Sequence, residues 1–364
     1  MSLLDDPAAS LFENPAASLF DSGAYDLSFY NQIYLMMQYC LNNPKNPHCE
    51  FIPSYYMYKI DLVPNAIFAG IFGASFIAFA ATYAFTRRGH GFNIAMMLGV
   101  TCEILGYAGR LMSWNNPWRK APFLMQICCL TIGPTFFAAA IYFCLCRVVK
   151  VFGASNSRIA PEWYTRIFIP CDLISLILQA AGGTVASVAN HNGESTDKGD
   201  KVMIAGLCFQ VFTLLIFMIV AGDFAISTWR RSRAVRNNDN NSNNQAIQEV
   251  LDRDAAIFGH LCSSWRFRFF LGALTLSTVC IFWRCVFRIA ELSRGWTGPL
   301  MERQDLFVGF EGVMIIIAVV GLNFFHPGFC SKELFGGRNT DKNAPFFEGQ
   351  STHELVATKV VSGC

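Results

Sequence analysis

One short apolar stretch carries a carboxylate, a phenol and a guanidinium at regular spacing. Glu103, Tyr107 and Arg110 stand at positions i, i+4 and i+7, which places all three on one face of a helix. Such groups make charge-assisted hydrogen bonds to amines, hydroxyls or oxyanions. An ionisable side chain at membrane depth is energetically costly, so each one is a functional-site hypothesis. The competing interpretation is a structural pair between helices.

Other apolar stretches repeat the pattern. Asp172, Ser175 and Gln179 share a face and precede Gly182-Gly183, glycines that permit close helix packing. Arg288 and Glu291, three residues apart, can pair within their helix. A polar interior for an amphipathic substrate explains so many buried polar groups better than isolated structural pairs do. The predicted substrate-binding and translocation residues are Glu103, Tyr107, Arg110, Gln126, Asp172, Ser175, Gln179, Gln210, Arg284, Arg288, Glu291 and Glu311.

Signals for other chemistry are missing from the sequence. It has no His/Cys cluster with metal spacing, no G-x-x-x-x-G-K-[ST] phosphate loop and no G-x-S-x-G nucleophile elbow. We therefore expect no enzyme activity that depends on such a site, and we expect no metal and no cofactor.

The Gly133-Pro134 pair affects the backbone of its apolar stretch. Proline removes a helical hydrogen bond, so it frees a carbonyl within an apolar stretch.

The elements that position these residues follow from composition. The chain has 364 residues, of which 53% are hydrophobic and 15% charged, with a mean hydropathy of +0.35. These values exclude a disordered chain and argue against a soluble globular one. The net charge of +2 gives no reason to expect nucleic-acid binding. The class that remains is an integral membrane protein.

Seven apolar runs are long enough to span a bilayer, which needs about 20 residues. We predict an all-α protein with spans at about 62–85, 92–112, 123–147, 167–189, 202–228, 269–290 and 306–325. Flanking Lys and Arg residues are about twice as numerous on one side as on the other. By the positive-inside rule the N-terminus is outside and the C-terminus inside.

The domain boundaries follow from these spans. Residues 1–61 form an extracellular N-terminal tail, residues 62–329 the membrane domain and residues 330–364 a cytoplasmic tail. The N-terminal tail contains two PAASLF copies and no cleavable signal peptide. Tyr30–Leu41 in this tail is too short and too polar to span a bilayer, and we interpret it as an interfacial or lumenal segment. A cytoplasmic linker, 230–266, contains an Asn-rich tract and a short amphipathic helix at Ala246–Phe258. Asn240 in this linker should remain unglycosylated.

Two local features of these segments have alternative interpretations. The basic cluster at 230–236 contacts anionic lipid headgroups in one interpretation and serves as a topology signal in the other. Cys40 and Cys49 bracket ten residues on the predicted outside, where an oxidising compartment makes a disulfide plausible. The remaining Cys residues are expected to behave as small apolar side chains.

At these residues the sequence resembles the fungal RTA-like family of lipid-translocating exporters. The resemblance covers about Tyr58–Phe329 and rests on several motifs in order. They are Pro64-Asn65, EILGYAGR, LTIGPTFFAAAIYFCLCR, CDLISLILQAAGG, IAGLCFQ, FWRCVFRIAELSRGWTG and FFHPGF. The sequence departs from the family at Gly133, where many members have Ala, and in span seven, where Glu311 stands near the position of the family's aspartate.

The resemblance implies a seven-span protein that moves lipids or toxic amphiphiles across a fungal membrane, with links to drug resistance and a plasma-membrane location. Span motifs and length are most similar to those of a sphingoid long-chain-base exporter. The expected partners are therefore membrane lipids and sphingoid bases. Glu103, Asp172 and Gln179 would receive the amine and hydroxyls, while Phe-rich outer faces would let the apolar chain remain in lipid.

Two other functional classes remain open. A seven-helix receptor or lipid-stress sensor has the same topology, and it would signal without moving its ligand. A membrane enzyme acting on lipids ranks lowest, because the sequence contains no nucleophile–base or metal constellation. Movement of a labelled long-chain base between the leaflets of reconstituted vesicles separates a transporter from a receptor.

Overall fold

The computed structural model describes residues 35–52, 54–56, 58–87, 89–152, 160–191, 195–237, 265–293 and 303–330. Seven helices in these ranges are long and apolar enough to cross a membrane. They are α1 (Leu62–Thr86), α2 (His90–Asn115), α3 (Lys120–Phe152), α4 (Pro161–His191), α5 (Asp197–Asn237), α6 (Trp265–Leu292) and α7 (Gln304–Phe324). The described ranges contain no strand. The predicted all-α fold with seven spans is confirmed.

The helices form a closed ring in chain order. Each packs against the next, α7 returns to α1, and α3 also contacts α5 and α6 across the ring. Because the chain crosses the bundle seven times, it enters and leaves the bundle on opposite faces. We call these the N-terminal face and the C-terminal face. On the N-terminal face, Asn116 after α2 donates to the Leu41 carbonyl at 2.9 Å. On the C-terminal face, His326 hydrogen-bonds Asn93 near the start of α2.

The surface is apolar and the interior contains the charges. Ile77 and Ile219 expose 69% and 62% of their surface, whereas Glu103 and Arg110 expose 1% and 0%. A soluble protein rarely exposes apolar patches of this extent, so the outer face is built for lipid. The expectation of Phe-rich outer faces is wrong for most of the chain. More of the described Phe side chains are buried than exposed, and the outward residues are mainly Ile, Leu and Val.

The predicted linker at 230–266 begins too early. Helix α5 continues through the basic cluster to Asn237 and contains 41 residues, a length of about 61 Å at 1.5 Å per residue. This exceeds a hydrocarbon core of about 30 Å, so part of the helix extends beyond it. Arg and Ala in the cluster are good helix formers, and the helix ends where the Asn-rich tract begins.

Several predicted features lie outside the described residues. They are both PAASLF copies, the amphipathic helix at Ala246–Phe258, Asn240 and the tail after Cys330. Of the predicted interfacial segment Tyr30–Leu41, residues 35–41 are described and belong to a helical stretch at 35–42.

Glycines allow α4 and α5 to pack closely. A Cβ added at Gly206 would lie 2.9 Å from the Ser175 carbonyl oxygen and 2.9 Å from Cγ of Gln179. A Cβ at Gly182 would lie 2.7 Å from the Gly199 carbonyl oxygen. Small residues at such positions let transmembrane helices approach backbone to backbone. This contact places the polar face of α4 directly against α5.

Gly206→Ala is expected to lower the free energy of unfolding by about 1–3 kcal/mol, because overpacking forces the two helices apart. Gly222→Ala in the same helix is the matched control, since a Cβ there meets nothing within 4 Å. The control should gain up to about 1 kcal/mol from lower backbone entropy. Thermal unfolding of both purified variants measures the contrast. Equal shifts would contradict the packing described here.

Candidate functional site

The centre of the bundle contains an ion pair between α6 and α7. Arg284 Nη2 lies 2.5 Å from Glu311 Oε1, and the two side chains expose 3% and 1% of their surface. The same Nη2 donates to the carbonyl of Leu130 in α3. That carbonyl lies four residues before Pro134, which has no N–H to donate to it. The predicted free carbonyl is therefore used as an acceptor for Arg284, although α3 continues unbroken through Gly133-Pro134.

Glu103 completes this central cluster, which we define as Glu103, Arg284 and Glu311. Arg284 and Glu311 both lie within electrostatic range of Glu103. Its Oε1 is buried without a hydrogen-bond partner, and it faces Gly133 of α3, where an added Cβ would lie 2.7 Å away. The central cluster thus contains two carboxyl groups and one guanidinium, and only Glu311 pairs with that guanidinium. Glu103 Oε1 and Glu311 Oε2 are both buried without a hydrogen-bond partner among the described residues.

A local change of helix type positions Glu311. Residues Phe307–Val313 form a π-helical segment within α7. Such segments are rare and occur frequently at functional sites. Gly312 in this segment lies against the ring of Phe68 on α1, where a Cβ would not fit. This close contact with α1 holds the π-helical segment in position. The segment in turn directs Glu311 towards Arg284.

Tyr107 lies one turn from Glu103 on the same face of α2. Its ring stacks on Phe72, with centroids 5.7 Å apart, and meets Phe68 edge to face at 5.3 Å. Its hydroxyl is buried and makes no hydrogen bond with any residue that the structure describes. The spacing from Glu103 predicts the shared face correctly, and the aromatic rings around Tyr107 hold the hydroxyl in place.

Arg288 and Glu291 form a second ion pair within α6. Arg288 Nη1 donates to Glu291 Oε2 at 2.6 Å, and both side chains are buried. This is the i, i+3 pairing that their spacing predicts. Glu311 is also within electrostatic range of Arg288, so this pair adjoins the central cluster.

A lateral cluster lies between α3, α4 and α5. Tyr142 donates to Asp172 Oδ2 at 3.0 Å, and the Thr213 hydroxyl lies 3.5 Å from Asp172 Oδ1. Ser175 is fully buried, but its hydroxyl donates at 2.6 Å to the backbone carbonyl of Asp172 rather than to the carboxylate. Asp172 therefore has hydroxyl donors, and no ion pair involves it in the described ranges.

A chain of amides extends the lateral cluster. Gln179 donates to Gln210 Oε1 at 3.0 Å, and Gln210 in turn donates to the Thr135 hydroxyl at 3.0 Å. The Gln179 side-chain oxygen is buried without a partner. Thr135 lies two residues after Gly133, which Glu103 faces. The lateral and central clusters are therefore neighbours in one polar interior.

The N-terminal segment closes the bundle on its own face. A disulfide joins Cys40 and Cys49, whose Cα atoms are 5.6 Å apart, and Trp118 after α2 packs against the pair. The Tyr56 hydroxyl donates to Gln126 Oε1 at 2.6 Å and lies 3.1 Å from the Ser113 hydroxyl. Burial raises the pKa of Tyr56 to about 12, so its phenol stays protonated and keeps donating.

Arg110 lies beneath this segment and is fully buried. Its Nε donates to Asn65 Oδ1 at 2.7 Å and its Nη2 to the Tyr58 hydroxyl at 3.0 Å. Its guanidinium carbon is 4.0 Å from the centroid of the Phe307 ring, within cation–π range. Gln126 and Arg110 thus belong to the closure on the N-terminal face and lie apart from the lateral cluster.

His326 joins two helices on the C-terminal face. Its Nε2 lies 2.9 Å from Asn93 Oδ1, and its Nδ1 accepts from the Gly328 N–H at 3.0 Å. An Nδ1 that accepts requires the proton on Nε2. Burial lowers the pKa of His326 to about 4, so the ring is neutral near pH 7 and ties the end of α7 to α2.

Sequence reasoning missed the neutral partners of these charges. Asn65, Tyr58, Tyr142 and Thr213 lie on elements whose packing order the hydrophobic pattern does not give. A signal was present for the Leu130 carbonyl, because Pro134 identifies the acceptor four residues earlier. The described residues contain no group of three or more His, Cys, Asp or Glu side chains placed to hold a metal ion.

Comparison with known proteins gives a consistent result. The profile of the family described as RTA1 like protein matches residues 96–334. The sphingoid long-chain base transporter RSB1 of Saccharomyces cerevisiae is 36% identical over 261 residues, covering 70% of this chain and 67% of the relative. Protein RTM1 and protoporphyrin uptake protein 1, both from Saccharomyces cerevisiae, are 28% and 26% identical.

These two alignments cover 62% and 63% of this chain and 64% and 67% of the relatives. No solved structure matches the chain. The family match covers α3 to α7 and most of α2, including every member of the central and lateral clusters. The chain belongs to the RTA1-like protein family.

Proposed function

We propose that this protein is a translocase that moves lipid-like amphiphiles with a cationic headgroup across the membrane, with sphingoid long-chain bases as the substrate. The observation that carries the proposal is Glu103, a buried acid with one carboxylate oxygen that has no hydrogen-bond partner in the described part of the chain. It stands beside an ion pair that already uses Arg284 and Glu311. An ionised Glu103 therefore leaves the central cluster one cation short.

The substrate supplies that cation. A sphingoid base has a primary amine, hydroxyl groups and an apolar chain. An ammonium donates up to three hydrogen bonds, and a carboxylate in a low-dielectric interior is a strong acceptor for them. The amine binds Glu103, and the apolar chain remains against the lipid-facing Ile, Leu and Val side chains.

The lateral cluster provides a second binding site for the headgroup. The Gln179 oxygen has no donor in the described structure, and Asp172 interacts with hydroxyl groups instead of a cation. These acceptors suit the hydroxyls of the headgroup. Because Gln210 bonds Thr135, two residues after the glycine that Glu103 faces, a headgroup can exchange hydrogen bonds between the clusters without returning to bulk lipid.

Orientation and location complete the proposal. The excess of Lys and Arg on the C-terminal face favours N-terminus outside and C-terminus inside. Three exposed tryptophans lie towards that same face, Trp163 and Trp265 at the starts of their helices and Trp229 in the last part of α5, as expected for an interfacial belt. The protein acts in the plasma membrane and contributes to resistance against toxic lipids or drugs. The basic cluster at 230–236 contacts anionic lipid headgroups.

A seven-helix receptor or sensor is the alternative, because a ligand-binding interior with this topology serves signalling equally well. The two functions differ in one measurable respect. A receptor binds the long-chain base and leaves its distribution between leaflets unchanged. The names of the relatives, a transporter and an uptake protein, favour movement.

Purified protein in liposomes should move a fluorescent long-chain base between leaflets. The base is placed in the outer leaflet, and a membrane-impermeant quencher then follows the fraction that remains accessible. Protein-containing vesicles should equilibrate at least tenfold faster than protein-free vesicles of the same lipid composition. Binding of the base without faster equilibration would favour the receptor and overturn the translocase.

A further inference from the structure

Arg110 differs from the other buried arginines in its partners. Arg284 and Arg288 each pair with a carboxylate at 2.5 Å and 2.6 Å. Arg110 contacts only neutral groups in the described ranges: an amide oxygen, a phenol and an aromatic ring. Its positive charge is therefore not neutralised by an ion pair, although the side chain exposes none of its surface.

The guanidinium is also incompletely hydrogen-bonded. Nε donates to Asn65 and Nη2 to Tyr58, while Nη1 is buried and has no partner among the residues that the structure describes. Nη1 keeps both of its protons free, and Nη2 has a second one. These adjacent N–H groups form the planar fork that binds phosphate and carboxylate oxygens in pairs.

The surroundings hold that fork in one orientation. Phe307 lies against the guanidinium face, Asn65 fixes it from α1, and Tyr58 fixes it from the N-terminal segment. A cation fixed in this way, without a counterion, is preorganised for an anion.

We infer that Arg110 is the binding group of a second subsite, at the N-terminal face, which takes the phosphate group of an amphiphile. The Nη1–Nη2 edge binds two phosphate oxygens, while Asn65 and Phe307 keep the guanidinium in place. Because Arg110 is fully buried, the phosphate enters when the segment carrying Tyr56 and Tyr58 moves aside. The subsite extends the protein's range from cationic to phosphorylated amphiphiles.

Binding of monododecyl phosphate to the full chain in nanodiscs tests the inference by calorimetry. The dimethyl ester of the same dodecyl phosphate, which keeps the apolar chain and has no charge, is the reference ligand. The wild-type protein should bind the phosphate about tenfold more tightly or better, as expected for hydrogen bonds to charged groups. This probe has no amine, so the result is independent of the long-chain-base transport proposed above.

Arg110→Met should abolish the preference for phosphate, whereas Arg303→Gln, which removes an exposed arginine at the start of α7, should retain it. Arg110→Lys keeps the charge and loses the fork, so its preference should fall at least about threefold. This second variant decides the question if Arg110→Met does not fold. The inference is overturned if the wild-type protein shows no preference, or if the folded Arg110 variants bind phosphate as tightly as wild type.

Discussion

Replacing Glu103 with glutamine should reduce export of long-chain bases about ten- to a hundredfold while the protein still folds and reaches the membrane. Glutamine has nearly the same shape and fits the space beside Gly133. It removes the negative charge that receives the ammonium. A hydrogen bond to a charged group contributes about 1.5–3 kcal/mol, which corresponds to this range of rates.

Stability should not fall in the same variant. Glu103 makes no ion pair in the described ranges, so its replacement leaves no partner uncompensated. The matched control is Glu162→Gln on the surface of α4, where the side chain exposes 58% of its surface and lies 3.6 Å from Lys150 and Arg166. Release of labelled base from cells expressing each variant gives the rates. Wild-type release by a folded, membrane-localised Glu103→Gln protein would remove Glu103 from the mechanism.

The Arg284–Glu311 pair should dominate the stability of the bundle. Glu311→Leu leaves a buried guanidinium without its carboxylate, which costs about 3–5 kcal/mol. Arg284→Met with Glu311→Leu removes both charges and should recover most of that loss. Chemical unfolding of the wild-type protein, the two single variants Arg284→Met and Glu311→Leu, and the double variant gives the four free energies needed for a double-mutant cycle. A coupling energy below about 0.5 kcal/mol would show that the pair is not a structural unit.

A substitution at Pro134 extends this double-mutant cycle. In the double variant the Leu130 carbonyl loses its donor from Arg284, and an unsatisfied buried acceptor costs about 1–3 kcal/mol. Adding Pro134→Ala supplies a backbone N–H for that carbonyl. The triple variant should therefore be more stable than the double variant. No gain in the triple variant would mean that the carbonyl does not depend on Arg284.

The sequence predicts the helices of this fold because each apolar run is longer than a bilayer requires. It also predicts which residues share a face, as for Glu103 and Tyr107, or pair within one helix, as for Arg288 and Glu291. Both predictions depend only on helical periodicity. The end of α5 was harder to place, since Arg and Ala in the basic cluster are compatible with either a helix or a linker.

Contacts between helices could not be predicted in the same way. Periodicity states which way Arg284 faces, but the order of packing decides that Glu311 and Leu130 meet it. The π-helical segment in α7 has no reliable sequence signal. The closure at Arg110 depends on a segment before α1 folding back over the bundle, a long-range contact without local periodicity.

The most direct test of a cation-selective interior compares two substrates that differ only in headgroup charge. A fluorescent long-chain base and its N-acetylated form have the same chain, and only the first has a cationic amine. Wild-type protein in liposomes should move the base at least tenfold faster than the acetylated form, because only the base can donate to Glu103 as a cation. Equal protein-dependent rates for the two would contradict the central role of the carboxylates.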